Sequence, residues 1–304
     1  MKLFTFKRTN LSEEEVGVEC KFRPGYLYAL KDLGYEYRDM NDVILHMTES
    51  QKEMLRLQAS KDVGDDADQY YGYISMEKVQ KCAPIPIPKQ DIICLGINYY
   101  AHAKEAAAFD QEAFEREKPY PIFFSKRVNR AVADGETVPA YEGLVDSLDY
   151  ESELAVIIGK DARNVAKEDA FAYVFGYTIV NDVSARNLQT RHKQWYFGKS
   201  LDGFTPMGPC IVTADEFNTP PVLKVKSYVN GELRQDSCTS HLIFGIDEVI
   251  SMLSQGMTLQ AGTIISMGTP AGVGMGMNPP QFLKKGDVMT MEIEKIGRLT
   301  NPIG

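Results

Sequence analysis

The pattern of apolar and polar positions predicts a protein rich in β-strands, with a few covering helices. From Pro209 onward, short apolar runs are separated by glycine, asparagine and proline, which is the spacing of strands and turns. One helix is predicted from Ile246 to Gln255, just before Gly256. A regular alternation of strand and helix is absent, which argues against a doubly wound parallel sheet. The predicted fold class is therefore α+β, with strands in excess.

The first 85 residues have a mixed pattern, and we predict that they form a small N-terminal α/β domain. An opening strand precedes predicted helices over residues 25–33 and 41–57. Pro84, Pro86 and Pro88 then alternate with other residues and keep the backbone extended. We place the domain boundary there, so that the prediction divides the chain into residues 1–85 and a larger domain over residues 86–304.

The larger predicted domain starts with a buried strand over residues 91–97. A helix rich in alanine and glutamate follows over residues 101–117, and a short strand over residues 121–125. The pattern then predicts a helix over residues 166–174 and a strand over residues 177–182.

Two glutamates stand at the start of a predicted buried strand. Glu151 and Glu153 are two residues apart, so their side chains share one face of the strand. Like charges this close, shielded from water, repel each other unless a cation lies between them. Carboxylate oxygens suit a hard cation such as Mg²⁺ or Mn²⁺. Asp182, at the end of another predicted strand, supplies a third carboxylate, although an aspartate there can also cap a turn.

Three other residues are candidates for chemistry. His102 and Glu105 are three residues apart in the predicted helix and share one face. A carboxylate beside an imidazole fixes its tautomer and raises its basicity, as a base that activates water requires, but an exposed helix with an incidental histidine has the same spacing. Lys199 follows the only tryptophan, Trp195. In a closed site it could stabilise negative charge, and otherwise it is a surface lysine.

A glycine-rich run over residues 267–276 does not predict a nucleotide site. It lacks the Gly-Lys-Ser/Thr ending of a phosphate-binding loop, and it runs into Asn278 and two prolines instead of a helix. Its amides and the Thr269 hydroxyl could line a pocket for a carboxylate. Turn formation alone would explain the glycines equally well.

The composition excludes some classes of partner. The 304 residues carry a formal charge of −9, which argues against nucleic acid or an anionic membrane as the main partner. No apolar stretch approaches the roughly 20 residues that span a bilayer, and no apolar signal region opens the chain, so the predicted compartment is the cytoplasm. The five cysteines form no Cys-x-x-Cys pair and are predicted to be reduced thiols.

An ordered set of motifs over residues 90–304 resembles the fumarylacetoacetate hydrolase family. The set includes Gly96-Ile97-Asn98-Tyr99 before His102, Asp149-Tyr150-Glu151-Ser152-Glu153-Leu154, Asn181-Asp182-Val183-Ser184-Ala185-Arg186, Gly198-Lys199-Ser200 and Gly268-Thr269-Pro270-Ala271-Gly272-Val273-Gly274. Asn187 departs from the aspartate that usually ends the third motif. The lid segment that the family carries, here residues 106–119, is longer and more acidic than usual.

The resemblance implies a mixed β-roll fold, a homodimer and a divalent metal, usually Mg²⁺, with Mn²⁺ or Ca²⁺ as alternatives. It implies that Glu151, Glu153 and Asp182 hold this metal. It also implies that His102 and Glu105 activate water, that Lys199 stabilises an enolate, and that the substrate contacts are Gln189, Thr269, Lys126 and Arg186.

The activity that this resemblance implies is hydrolysis of a carbon–carbon bond in a 1,3-diketo acid of the acylpyruvate or fumarylpyruvate type. The same site would support decarboxylation of oxaloacetate or isomerisation of a 2-hydroxy-dienedioate, because each passes through an enolate. A third reading is a protein that binds a small oxo acid without turning it over. The expected partner is in each case a small oxo acid.

Overall fold

The structure is a computed structural model and describes residues 1–9, 13–60, 72–109 and 120–304. Its strands are β1 Lys2–Lys7, β2 Glu15–Glu19, β3 Tyr26–Ala29, β4 Tyr73–Ser75, β5 Gln80–Lys81, β6 Ile92–Gly96, β7 Ile122–Lys126, β8 Leu148–Asp149, β9 Ser152–Ile158, β10 Val174–Asn181, β11 Ser184–Ala185, β12 Met207–Thr213, β13 Lys224–Val229, β14 Glu232–Cys238, β15 Ile264–Ser266, β16 Val288–Ile293 and β17 Gly297–Pro302. Its helices are α1 Met40–His46, α2 Glu49–Ala59, α3 Tyr100–Phe109, α4 Arg186–Arg191, α5 Tyr196–Lys199 and α6 Ile246–Gly256.

Most strands belong to one mixed sheet of eleven strands. Its order is β4-β3-β2-β1-β12-β10-β9-β15-β6-β7, and β5 pairs with β1. Neighbouring strands pair antiparallel, except that β15 and β6 run parallel. A second sheet has the order β14-β13-β16-β17, and β8 and β11 form a short pair. The fold is thus α+β and rich in strands, as the sequence predicts.

β9 lies near the middle of the large sheet and is buried on both of its faces. Leu154, Val156 and Ile158 pack into one apolar cluster. Ala155 and Ile157 point the other way and pack into a second cluster. Burial on both sides explains why this strand has a continuous apolar sequence instead of an alternating one.

The N-terminal segment continues the same sheet and shares one of its cores. β1 pairs with β12, with Lys2 opposite Val212 and Leu3 opposite Ile211. Leu3 lies in the apolar cluster that also contains Ala155 and Ile157 of β9. The strands before residue 85 are therefore bonded to the strands that follow it, and the division of the chain at residue 85 stays a prediction.

The predicted helix over residues 25–33 is wrong. The segment forms β3 and then a 3₁₀ turn, Lys31–Leu33. Tyr26, Leu27 and Tyr28 fit a pleated, half-buried surface, and β3 pairs with β2 on one side and β4 on the other. Pairing with distant strands decides the structure here.

The predicted helix over residues 41–57 is two helices, α1 and α2. Thr48 begins α2 with a capping box: its hydroxyl accepts a hydrogen bond from the Gln51 amide, and the Gln51 side chain accepts one from the Thr48 amide. The predicted helix over residues 166–174 is a 3₁₀ helix, Lys167–Tyr173. The helix predicted over 101–117 is described as α3 up to Phe109; its remainder and most of the predicted lid segment lie outside the described residues. Among the described helices, none has the length and apolar character of a membrane span.

Candidate active site

Three buried carboxylates meet where β9 begins and β10 ends. Glu151 lies directly before β9, Glu153 lies within it, and Asp182 directly follows β10. Antiparallel pairing places Glu153 opposite Val180, and the Asp182 amide donates to the Glu151 carbonyl at 3.0 Å. The Asn181 side chain accepts a hydrogen bond from the Glu151 amide at 2.9 Å. The register of two neighbouring strands therefore brings the three side chains together.

Three cations compensate two of these carboxylates. The Lys199 ammonium bridges Glu151, at 2.8 Å, and Asp182, at 2.7 Å. Arg186 Nη1 lies 2.7 Å from the second oxygen of Glu151. The Lys126 ammonium lies 2.8 Å from the other oxygen of Asp182. These ion pairs are buried, where opposite charges must be closely matched to be tolerated.

Glu153 has a different environment from Glu151. One Glu153 oxygen accepts hydrogen bonds from the Ser266 hydroxyl and the Gly268 amide, and no ion pair reaches this residue within the described ranges. Burial, together with the negative charges of Asp182 and Glu151, raises the pKa of Glu153 well above its usual value. Burial acts in the same direction on Glu151, but Lys199 and Arg186 outweigh it and hold the pKa of Glu151 below its usual range.

The three carboxylates fit a divalent cation. One oxygen from each lies within 4.8 Å of the others. Oxygen ligands lie about 2.0–2.6 Å from Mg²⁺ or Ca²⁺, so two ligands of one ion are at most about 5 Å apart. The set is buried, consists of hard oxygen donors and includes Glu153, which lacks a cationic partner among the described residues. This acidic triad could hold a divalent metal ion.

His102 and Glu105 form a pair on α3. The imidazole Nδ1 lies 3.0 Å from one Glu105 oxygen, and His102 is 5% exposed. The other Glu105 oxygen accepts a hydrogen bond from the Gly272 amide at 2.9 Å. Because Nδ1 faces the carboxylate, Nε2 is the nitrogen left for proton transfer.

One narrow cavity connects these groups. Its volume of about 10 Å³ is room for about one water molecule, so the site is nearly closed and fits a small ligand better than a large one. The predicted site residues on its wall are His102, Glu151, Glu153, Arg186, Gln189, Lys199 and Thr269.

Three predicted site residues lie behind this wall. Asp182 contacts the wall residue Lys199, and Glu105 contacts the wall residue His102. Lys126, predicted as a substrate contact, is fully buried; besides Asp182 its ammonium contacts the carbonyls of Val183 and Lys199. The structure therefore places Lys126 beside Asp182 and away from the cavity wall.

Some residues of the site have no role in the sequence prediction. Asp149 accepts hydrogen bonds from the Gly274 amide at 2.7 Å and the Met275 amide at 3.0 Å, and its second oxygen also accepts from Arg186 Nε at 2.9 Å. Trp195 and Phe124 form an aromatic wall of the cavity. Trp195 could have been found from its spacing, since it lies one helical turn before Lys199.

The glycine-rich segment is tied to the strand that carries the glutamates. Thr269 donates to the Ser152 carbonyl at 3.1 Å and accepts from the Gln235 side chain at 2.7 Å. Gln235 in turn accepts from the Ser152 amide at 3.1 Å. No local pattern pointed to Gln235, because β14 belongs to the second sheet and its approach to the site depends on how the two sheets pack.

Buried carboxylates that could hold a metal ion lie beside a histidine–glutamate pair on a sheet-rich α+β scaffold, an arrangement that is capable of acid–base chemistry. Residues 91–304 match the family described as fumarylacetoacetate (FAA) hydrolase C-terminal. The chain belongs to this family, whose enzymes act on small molecules, and the predicted family and fold class are confirmed.

Relatives within the family have different reactions. Oxaloacetate tautomerase YisK of Bacillus subtilis (strain 168) is 49% identical over 231 residues, which cover 76% of this chain and 75% of that protein. The solved structure of a fumarylacetoacetate hydrolase from Exiguobacterium antarcticum has a TM-score of 0.81 and 36% identity, covering 100% of this chain and 99% of that one. A maleylpyruvate hydrolase from Sphingobium sp. SYK-6, solved with manganese(II) and pyruvate, has a TM-score of 0.73 and 29% identity, with 100% and 98% covered.

Proposed function

We propose that this chain is a divalent-metal-dependent enzyme that forms and reprotonates the enolate of a small 2-oxo acid. Keto–enol interconversion of oxaloacetate is the reaction that we consider the best fit. The observation that carries the proposal is the placement of His102 in the same narrow cavity as Glu151 and Glu153. The imidazole of His102 is hydrogen-bonded to Glu105. The 49% sequence identity with an oxaloacetate tautomerase supports the choice of substrate.

Glu151, Glu153 and Asp182 would hold the metal, which we propose to be Mg²⁺ or Mn²⁺. When bound, such an ion supplies a Lewis acid that stabilises negative charge on the substrate oxygens. The manganese(II) and pyruvate in the structure of the Sphingobium relative are consistent with this assignment.

His102 would move the proton. Its Nε2 takes a proton from the carbon next to the ketone; the electron pair of that C–H bond forms a carbon–carbon double bond while the carbonyl π pair moves to oxygen, which gives an enolate. Return of the proton from the imidazolium to that oxygen gives the enol, so no water is consumed. Glu105 holds the imidazole through Nδ1 and stabilises the imidazolium that forms.

The remaining wall residues would bind and orient the substrate. The Gln189 side-chain amide offers a hydrogen bond to a carboxylate, and the Lys199 ammonium adds positive charge where negative charge develops. Thr269 lines the same wall, but its hydroxyl proton is donated to the Ser152 carbonyl. Arg186 is already occupied by Asp149, Glu151 and Gln189, so we assign it to holding the carboxylates in place.

The second candidate is hydrolysis of an acylpyruvate. It is favoured by the same His102–Glu105 pair, which can take a proton from water as well as from carbon, and by the similarity to the two hydrolase structures described above. The nearly closed cavity favours oxaloacetate, with four carbons, over the larger acylpyruvates. Decarboxylation of oxaloacetate does not require a base, so it would not use the His102–Glu105 pair.

The test uses one set of assays on the wild type and two variants, with Mg²⁺ or Mn²⁺ present. The assays follow keto–enol interconversion of oxaloacetate, its loss to pyruvate, and hydrolysis of acetylpyruvate and fumarylpyruvate. We expect interconversion by the wild type and a loss of about 10²–10⁴-fold in kcat for His102→Asn. His46→Asn, which changes an exposed histidine of α1, serves as the control and should keep full activity.

Other outcomes would overturn the proposal in distinct ways. Hydrolysis without interconversion would establish the second candidate. Equal decarboxylation by the wild type and His102→Asn, with neither other reaction, would make the protein a decarboxylase. Tight binding of oxalate without any turnover would make it a binding protein.

Two further properties stay predictions. A homodimer is expected from the family resemblance, and light scattering of the purified protein measures it. The cytoplasmic location is likewise expected from the sequence, and fractionation of the cells that make the protein tests it.

A further inference from the structure

The His102–Glu105 pair contacts a segment that the proposed mechanism does not use, the loop over residues 272–276. The two oxygens of Glu105 have different partners: one faces His102 Nδ1 at 3.0 Å, and the other accepts from the Gly272 amide at 2.9 Å. The loop therefore holds Glu105 from the side opposite to the histidine.

Gly276 makes room for this carboxylate. A Cβ added to Gly276 would lie 1.9 Å from Cδ and Cγ of Glu105 and 2.0 Å from its Oε1. These are its three nearest atoms, so Glu105 is the first residue that a side chain there would meet. Gly276 has no left-handed φ, and turn formation alone does not require a glycine at this position.

Gly272 brings its amide to Glu105 by a close backbone approach. Its φ is +104°, in the region that favours glycine, and an added Cβ would lie 2.1 Å from the Arg234 carbonyl oxygen. A larger residue would have to move the loop away from β14, and the amide would move with it.

The loop is anchored to the carboxylate side of the site. Asp149 accepts hydrogen bonds from the Gly274 and Met275 amides and pairs with Arg186, which pairs with Glu151. A continuous series of polar contacts thus runs from Glu151 through Arg186, Asp149 and the loop to Glu105.

An apolar seam joins α3 to the same loop. Ile97, Ala106, Val273 and Met275 form a small buried cluster that is separate from the two large cores. Ala106 belongs to α3, whereas Val273 and Met275 flank Gly274 in the loop. The apolar contacts of the seam orient α3 on the loop, and the hydrogen bond from the Gly272 amide orients the Glu105 carboxylate.

We propose that Gly272 and Gly276 are positioning residues for the His102–Glu105 pair: the amide of one and the absent side chain of the other fix the Glu105 carboxylate against the imidazole. Neither glycine is among the residues that line the cavity. The geometric part of the proposal stands without the proposed function, and its catalytic consequence rests on that function.

The first test is Gly276→Ala, whose methyl group has to displace the Glu105 carboxylate. The readout is the ¹⁵N spectrum of the imidazoles, which is simple to assign because the chain has four histidines. We expect Gly276→Ala and Glu105→Ala to shift the His102 Nδ1 signal in the same direction and to leave the other three histidines unchanged. Gly256→Ala at the end of α6, where an added Cβ meets nothing within 4 Å, is the matched control.

The kinetic test compares single and double variants. We expect Gly276→Ala to lower kcat by about 10- to 100-fold, since misplacement of a catalytic group by about 1 Å costs that much, with KM and metal affinity within about threefold of the wild type. The double variant Glu105→Ala/Gly276→Ala should be no slower than Glu105→Ala alone, because both changes remove the same interaction.

A third measurement does not depend on how well Gly276→Ala folds. In Glu105→Ala, the Gly272 amide loses its acceptor, so its hydrogen exchange should become faster, while the Gly274 amide on Asp149 keeps its rate. An unchanged His102 signal with full kcat in Gly276→Ala, multiplicative losses in the double variant, or an unchanged Gly272 exchange rate would each overturn the proposal. If the wild type turns over none of the tested substrates, the spectra and the exchange rates still decide it.

Discussion

The two sides of the candidate site differ in how they are held. The carboxylates lie where β9 begins and β10 ends, and these strands are inside the eleven-stranded sheet and between two apolar cores. Lys199, Lys126 and Arg186 pair with two of the carboxylates. The histidine lies on α3, which contacts the loop through one small apolar cluster and one backbone amide. The carboxylate side is thus part of the scaffold, and the histidine side is docked onto it. Substitutions on the two sides should therefore change different observables.

The largest effect is expected from Asp182→Asn. The variant loses one of three anionic oxygen donors, so metal affinity should fall by more than about 100-fold, and metal-dependent turnover should fall with it. This loss is larger than the loss of affinity from substituting a residue that only hydrogen-bonds to a metal ligand. Calorimetric titration with Mg²⁺ and Mn²⁺ measures the affinity. Asp202→Asn, an exposed carboxylate, is the control. Near-normal turnover of Asp182→Asn at low metal would mean that this aspartate is not a ligand.

The next effect separates the two glutamates. Repulsion between like charges alone would predict that removing either charge stabilises the metal-free protein. The ion pairs predict otherwise: Glu151→Gln leaves Lys199 and Arg186 short of a partner and should cost about 3–5 kcal/mol in the free energy of unfolding. Glu153→Gln removes a charge without a cationic partner among the described residues, and its amide oxygen can still accept from Ser266, so stability should stay level or rise.

Urea unfolding of the metal-free variants measures both values under the same conditions. Wild-type protein freed of metal with a chelator provides the reference. Equal losses of stability for the two variants would contradict the difference in their surroundings.

The smallest effect concerns how α3 is docked. Ala106→Gly removes a methyl group from the seam, worth about 0.8 kcal/mol, and should speed hydrogen exchange of the α3 amides about fourfold more than Ala101→Gly does, without changing metal affinity. Ala101→Gly loosens the same helix at an exposed position and controls for helix propensity. Equal exchange in the two variants would show that the seam does not hold the helix.

Local spacing predicted the parts of the site that lie close together in the sequence. His102 and Glu105 are one helical turn apart, and Glu151 and Glu153 are on one strand face, so periodicity is enough to pair them. Asp182 had only the status of a candidate, because its place beside the glutamates depends on the register between β9 and β10. The family motifs supplied what periodicity lacked.

The parts that could not be predicted depend on long-range packing. Lys126 lies beside Asp182 and off the cavity wall because β7 is at the end of the large sheet and its last side chain points inward. Asp149 and Gln235 join segments more than 80 residues apart, which no local pattern reveals. The strand β3 looked helical because its partners β2 and β4 stabilise it only in the folded chain.

The pairing of β1 with β12 has a consequence for the N-terminal segment. β12 stands between β1 and β10, and β10 leads directly to Asp182. If residues 1–85 were removed, β12 would become an open edge with a row of unpaired amides and carbonyls, able to bond to the same edge of another molecule. The segment thus acts as a cover for the sheet that carries the carboxylates, and a shortened chain would be prone to self-association before its chemistry could be measured.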